Sequence, residues 1–580
     1  MTARCFRPSG MTKTEENPPA RAWHLPALVC GVTFLTYVTT LWFHFNYDDN
    51  PQILENPAVH SWRYFTSYFS GHVWSVTRPN VAGSFYRPLF LVWLRLNYGL
   101  FGAHAMGWHL TTIGVHVAAT YMVYLLAQRL MREPAAAIAG LIFGVHPVHV
   151  EVATWISAVS DSLMTVFFIA AVLCFANSRE RQKPAWMALS LLCYALALLT
   201  KEPAATLPFV IFAYACFYPE DSSPRWRTGL QAAIPYVAIM AAYIVARATA
   251  LRGFSHPVTP LSTGQVFLTF PSLLWFYLRM LLFPFRLSLD YDLAYVSAAG
   301  FHSFVLPLIV VLLAAGLLFF WAKRSRDAAV GFASIWLVAA LLPVFDLRVL
   351  EQGDFVHDRY LYLPSVGFAI LLAAAIAQLS QVKPGYPALR FAAAAVVVGA
   401  LALGATRQEV YWANDLALFQ QAVAVAPQND VACNNLGGIL LMNGRYQEAV
   451  PLYLAILQRT PQDWLANRSL GLTYYRLGEW SQAQSLLARA TDLRQDDPTS
   501  FAYFGAAEMQ LGNFAQAEKH LRQALGLFPQ GMGYHYFLGM VLEKEGLPEA
   551  AKVEYRAELA NHGQHEGARL RLAQMQAAGG

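Results

Sequence analysis

Charge is what this sequence has least of. Asp, Glu, Lys and Arg make up only 13% of its 580 residues, where a soluble protein carries about 25%. A chain so short of charge, with 56% hydrophobic and 14% aromatic residues, is neither disordered nor an ordinary water-soluble globule. Cysteine is also scarce. The six present include no CxxC pair, and four of them (Cys30, Cys174, Cys193, Cys216) stand in apolar runs. Zinc ribbons, redox dithiols and disulfide-stapled modules are therefore excluded. No basic stripe is concentrated in a polar part of the chain, which argues against a nucleic-acid partner. The N-terminus lacks a signal peptide's short apolar core: the first apolar run, about Trp23 to Phe45, is too long and reads as a retained anchor.

Apolar segments of bilayer-spanning length then recur to about residue 406. Basic connectors such as Arg179–Lys183, Arg225–Arg227, Lys323–Arg326 and Lys383–Arg390 face the cytoplasm by the positive-inside rule. The intervening connectors, which hold most of the acids, then face outward. Both flanks of 266–289 fall on the outer side, so that segment is read as re-entrant or interfacial. About 11 crossings result, with the N-terminus inside and the C-terminal part outside. The expected organisation is a disordered cytoplasmic tail over 1–22, a membrane domain over 23–406 with a first external loop at 46–105, and a soluble domain over 407–580. The charge split agrees: residues 407–580 hold 14 Lys and Arg against 17 Asp and Glu, while those before hold 27 against 19.

The soluble part repeats. Gly437, Gly471, Gly505 and Gly539 lie 34 residues apart, as do Gly444, Gly478, Gly512 and Gly546, and Ala449, Ala483, Ala517 and Ala551. Small residues in a 34-residue register define the tetratricopeptide repeat, a helix pair that stacks into a solenoid with a concave binding face. Four repeats are expected, with 410–427 as the second helix of a partial first one. A protein or peptide partner in the groove is the functional reading, and a solubilising or dimerising domain the structural one.

Chemistry is sought where polar residues interrupt apolar runs. Asp48-Asp49 follows the first membrane segment directly. One of the two carboxylates suits a general base and the other an orienting group, although Asp-Asp-Asn-Pro is also ordinary turn chemistry. Arg87, Lys201 and Arg247 each stand where a cation needs an anion such as a lipid phosphate, an internal acid or a headgroup. Glu202 follows Lys201 as an internal partner. His146, His149 and Glu151 resemble a ligand set but lack His-Glu-x-x-His spacing, so a polar cluster over the site is preferred to a metal. Asp358 and Arg359 return an acid and a base to the same face. Carboxylates, Lys, Arg and His on one side of a membrane bundle fit chemistry on a phosphorylated lipid. A membrane scaffold and a transporter are the rivals; scarce mid-span charge counts against the second, and within an enzyme reading a glycan or lipid acceptor stays open.

The motifs also come in a recognisable order: Tyr47-Asp48-Asp49-Asn50, Ile53-Leu54, Asn56-Pro57, Tyr86-Arg87-Pro88-Leu89, Phe143-Gly144-Val145-His146-Pro147-Val148-His149-Val150-Glu151, Lys201-Glu202-Pro203, Arg359-Tyr360-Leu361-Tyr362-Leu363-Pro364-Ser365 and Gly367, then the repeats. This resembles the transmembrane and TPR repeat-containing O-mannosyltransferase family and its bacterial relatives, within the GT-C glycosyltransferases. The resemblance implies an all-α protein, a GT-C helical membrane bundle followed by a TPR α-solenoid. It implies an enzyme that moves mannose or another hexose from a polyprenyl-phosphate donor to Ser/Thr hydroxyls of extracytoplasmic proteins, with inversion. Asp48 and Asp49 would supply the catalytic base. Arg87, Lys201, Glu202, Arg247, His146, His149, Glu151, Asp358 and Arg359 would bind donor and substrate. No cofactor is expected beyond the lipid-linked donor, and the sequence leaves a divalent metal open. The repeats would share the active face. Short connectors and an Ala-rich composition favour a bacterial inner membrane, with the site on the extracytoplasmic side.

Overall fold

A computed structural model describes residues 23–77, 83–219, 224–253, 261–345, 347–350, 353–382 and 388–577. The expected tail over 1–22 and residues 383–387 of the last basic connector lie outside them. No described residue is in a strand.

The apolar runs become helices α1 (His24–Tyr37), α2 (Pro88–Phe101), α3 (Ala105–Leu130), α4 (Ala135–Val145), α5 (Val159–Arg181), α6 (Pro184–Thr200) and α7 (Leu207–Phe217). These are followed by α8 (Arg225–Leu251), α9 (Thr263–Leu282), α10 (Leu306–Ser325), α11 (Ala328–Leu341), α12 (Pro364–Val382) and α13 (Ala388–Glu409). Helices α3 to α7, α11 and α12 supply most of one apolar core. The outer helices remain apolar where nothing covers them: Leu312, Leu313, Leu317, Phe319 and Phe320 on α10 are 61–70% exposed. Large side chains left open in that number need lipid, not water. The chain is a multi-pass membrane protein.

Among the described residues, eight helical segments have the length and apolarity to cross a bilayer, or nine if the bent pair 135–145 and 147–154 forms one span. The sequence-based count of about 11 includes α6, α7 and α12, which are shorter apolar helices. It omits α9, which is an unbroken 20-residue helix started by a capping box at Ser262 and Gln265. Leu261 O accepts from Arg348 Nε at 3.1 Å, and Leu281 O accepts from His146 Nε2 at 3.1 Å. Away from the cavities, Arg129 near the end of α3 pairs with Glu180 near the end of α5, and Trp321 of α10 donates to Gln378 of α12 at 3.2 Å.

The solenoid follows as α14 (Asp415–Val425), α15 (Asp430–Met442), α16 (Tyr446–Arg459), α17 (Trp464–Leu477), α18 (Trp480–Leu493), α19 (Pro498–Gln510), α20 (Phe514–Leu527), α21 (Tyr534–Lys544), α22 (Pro548–Asn561) and α23 (Glu566–Ala577). The 34-residue columns have direct causes. Gly505 sits where α19 crosses α20, and a Cβ there would lie 2.8 Å from Leu521 Cγ and 2.9 Å from the Ala517 carbonyl oxygen. Gly444, Gly478, Gly512 and Gly546 end the first helices at φ of +72° to +84°, the left-handed cap that glycine takes without a side-chain clash. Ala449, Ala483, Ala517 and Ala551 are fully buried between the paired helices.

Candidate functional site

Asp48 and Asp49 lie in the turn after α1, and the structure separates their surroundings. Asp49 is fully buried. Its carboxylate accepts from Ser157 N at 2.9 Å, from Ser157 Oγ at 2.6 Å and from Asn46 N at 3.3 Å. Asp48 is half-buried and lines a cavity of about 170 Å³. The same wall carries Tyr47, Gln52, Trp74, Trp155, Asp354 and His357. The two acids differ in a way that sequence could not assign: Asp48 lines the cavity and Asp49 is buried beside it. Tyr47, just before them, has φ +49°, a conformation that costs a bulky residue of order 1–3 kcal/mol and persists only where its surroundings enforce it.

A second cavity, of about 230 Å³, adjoins the first. Its other walls are mostly apolar, with Met164, Pro203, Ala340, Pro343, Val344 and Leu363. Arg87, Lys201 and Arg359 line both cavities. Each of these cations is paired with an acid, and two of those acids, Glu202 and Asp161, line the second cavity themselves. Arg87 donates through Nε to Glu202 at 3.0 Å. Lys201 pairs with Asp161. Arg359 pairs with Glu151, which also accepts from the Arg359 backbone N–H at 3.0 Å. Arg247, on the wall of the second cavity, donates to Ser84 O at 2.6 Å. Burial pulls Lys201 down to about 8, with Asp161 opposing the shift. Three such cations bordering both cavities can serve as a cradle for an anion.

The structure thus brings together Asp48, Arg87, Lys201 and Arg359 on one wall and adds Glu202 and Arg247 beside them. It places Asp49 and Glu151 immediately behind. His146, His149 and Asp358 are not on either cavity wall. His146 is tied to Leu281 O. His149 is held between Phe143 O at 2.7 Å and Ser365 Oγ at 2.8 Å. Asp358 accepts from Tyr291 Oη. These side chains bind one another's elements together, and the ligand-like spacing of His146, His149 and Glu151 does not converge on a point. Sequence reading missed Asp354 and His357, whose Oδ1 and Nε2 are 3.1 Å apart on the wall of the first cavity. Their signal was present, since both lie within five residues of Arg359, but nothing in the spacing singled them out.

The buried acids predict a pH-dependent stability. Burial pushes the Asp49 carboxyl up to about 7, and burial also pushes Asp290 up to about 7. In an unfolded chain both ionise near pH 4. Between about pH 4 and 7 the folded protein therefore holds protons that the unfolded chain has released, and stability falls as pH rises through that window. The thermal midpoint of the detergent-solubilised protein is expected to be higher at pH 5 than at pH 7.5. Asp290→Asn should flatten part of the slope; an unchanged slope would contradict the assignment.

Membrane helices, a cationic cluster between a polar and an apolar cavity, and a helical-repeat solenoid define a polytopic membrane protein with a solenoid domain. Residues 86–251 match the family model of dolichyl-phosphate-mannose-protein mannosyltransferase, and residues 416–463, 440–503 and 504–566 match tetratricopeptide repeat models. Among curated relatives, the protein O-mannosyl-transferase TMTC3 of Homo sapiens is 25% identical, covering 91% of this chain and 63% of that protein. Tmtc3 of Drosophila melanogaster is 23% identical, covering 84% and 61%. TMTC1 of Homo sapiens is 25% identical, covering 77% and 56%. The chain spans about three-fifths of the length of these relatives. The resemblance read from the motif order is borne out. Among solved structures, a thermophilic tetratricopeptide protein of Thermus thermophilus aligns at 24% identity and a TM-score of 0.26, covering 31% of this chain and 95% of that one.

Proposed function

We propose that this protein is an integral-membrane glycosyltransferase that moves mannose, or another hexose, from a polyprenyl-phosphate donor to Ser or Thr hydroxyls of proteins. The observation that carries the reading is the shared wall. Arg87, Lys201 and Arg359 face both the polar cavity that holds Asp48 and the apolar cavity beside it. A lipid-linked sugar phosphate has that division: sugar, phosphate, apolar tail.

In the proposed reaction Asp48 takes the proton of the acceptor hydroxyl as its oxygen attacks the anomeric carbon. The new C–O bond forms on the face opposite the phosphate, and the bond from the anomeric carbon to the phosphate oxygen breaks. The polyprenyl phosphate leaves with that electron pair, and the configuration inverts. Arg87, Lys201 and Arg359 hold the leaving anion where its charge grows. Asp49, fixed by Ser157, holds the turn that carries Asp48. Asp354 and His357 contact sugar hydroxyls. No metal or other cofactor takes part in this scheme. Acceptor chains reach the site along the solenoid, whose first helix lies against it. The positive-inside reading of the basic connectors puts the site and solenoid on the extracytoplasmic side, and the short connectors and Ala-rich composition favour a bacterial inner membrane.

The test is glycan mass on extracytoplasmic proteins of the host. A deletion strain complemented by wild type is compared with one complemented by the Asp48→Asn/Asp49→Asn variant, at equal membrane level. Loss of a hexose-sized mass from Ser/Thr peptides in the variant is the expected result. An unchanged glycan profile, with the variant rescuing another defect of the deletion strain, would return the protein to the scaffold reading.

A further inference from the structure

The solenoid touches the site at its most strained point. Asn46 and Tyr47, the two residues before Asp48, are each hydrogen bonded to the start of the solenoid. Asn46 Nδ2 donates to Trp412 O at 2.7 Å, and the Tyr47 backbone N–H donates to Asp415 Oδ1 at 2.7 Å. Asp415 is the first residue of α14, so its carboxylate reaches the turn from a rigid element. The Tyr47 ring is clamped as well. It packs edge-on against Phe419 of α14 with centroids 5.3 Å apart and lies 5.6 Å from Trp155. Tyr47 is one of four non-glycine residues with positive φ among those described, and it immediately precedes the acid on the cavity wall.

A second line of contact runs from the same place to the anion cradle. Trp412 stacks on Trp155 at 5.8 Å, and the Arg359 guanidinium lies over the Trp155 ring at 5.3 Å. One short stretch of the solenoid, Trp412 to Phe419, therefore backs both the acid and one of the phosphate cations. A tethered recruitment module would need none of these contacts.

We infer that the first solenoid helix is a working part of the active site, with Asp415 as a positioning residue that holds Tyr47 in its left-handed conformation and so aims Asp48 into the cavity. The inference rests on the reading of Asp48 as the base. Its chemical content is specific: Asp415 acts as a hydrogen-bond acceptor at one place, not as a charge. Asparagine at 415 keeps an acceptor oxygen at the same place. Glutamate keeps the charge and moves the oxygen one methylene outward. Displacement of a catalytic group by about 1 Å can cost 10²-fold.

The experiment uses the full chain in nanodiscs, with polyprenyl-phosphate mannose as donor and a Ser/Thr peptide as acceptor. Asp415→Ala is expected to lower kcat by about tenfold or more with donor KM within about threefold of wild type. Asp415→Asn is expected to restore kcat to within about threefold of wild type, and Asp415→Glu to remain as slow as the alanine variant. The Asn and Glu forms both keep a polar side chain at the helix start, so their order decides the matter should the alanine variant not fold. Wild-type kcat in Asp415→Ala, or a Glu form faster than the Asn form, would overturn the inference. Asp48→Asn is assayed in parallel. Full activity there would remove the base assignment itself, whereas an inactive Asp48→Asn beside an unaffected Asp415→Ala would remove only the role of Asp415.

Discussion

Asp48→Asn is expected to reduce kcat for sugar transfer by about 10²–10⁴-fold, the range that a positioned general base supplies, with donor affinity nearly unchanged. The affinity should survive because the groups proposed to bind the phosphate are Arg87, Lys201 and Arg359. The amide side chain introduced in place of Asp48 still fills the turn, so the loss would be chemical, not structural. Asp49→Asn is expected to behave differently. Its carboxylate already accepts three hydrogen bonds and is fully buried, and an amide oxygen can accept part of that set while its NH₂ meets donors. A smaller fall in kcat with a lower thermal midpoint is the predicted signature, and Ser157→Ala should reproduce it in milder form. Single-turnover kinetics with radiolabelled donor, alongside equilibrium binding of polyprenyl phosphate, separate the two. Equal losses of kcat and of donor binding in Asp48→Asn would remove it from the role of base.

Much of this arrangement could be read from residue order, because its causes are local. The 34-residue columns follow from helix crossings and left-handed caps that recur within each repeat, so Gly505 and Gly512 announce themselves by spacing. The acidic pair stands out because its surroundings are so poor in charge. What sequence could not supply were pairings across the bundle. Lys201 meets Asp161 forty residues away, and Arg359 meets Glu151 across 208. Such partners are chosen by packing, and no local pattern encodes them. The same limit explains His146 and His149. Their spacing is suggestive, yet both are buried beside the bend between 135–145 and 147–154, where two carbonyls, the Ser365 hydroxyl and the Val148 N–H take up their nitrogens. Nor could spacing reveal that the partial first repeat lies against Tyr47, since that contact joins residues 368 apart.

The Arg359–Glu151 pair carries the other large effect, and it separates structure from catalysis. The Glu151 side chain has no exposure, and that of Arg359 keeps 16%, enough to face the cavities. Arg359→Met would strand a buried carboxylate, a loss that typically costs about 3–5 kcal/mol. Glu151→Gln would remove the opposing charge but keep an amide oxygen for the Arg359 N–H groups, and Arg359 retains its path to the cavity. A milder loss of stability is expected there. The double variant should regain much of what Arg359→Met loses, because it leaves no uncompensated charge. Activity should follow another order. Arg359→Met and the double variant both lack a donor to the leaving phosphate and are expected to lose about 10²–10³-fold in kcat, while Glu151→Gln keeps that donor and should lose far less. Thermal unfolding in detergent together with kcat for the four proteins of this cycle tests both orders at once. If stability and kcat fell in parallel through the cycle, Arg359 would be a structural cation alone, and the anion cradle would reduce to Arg87 and Lys201.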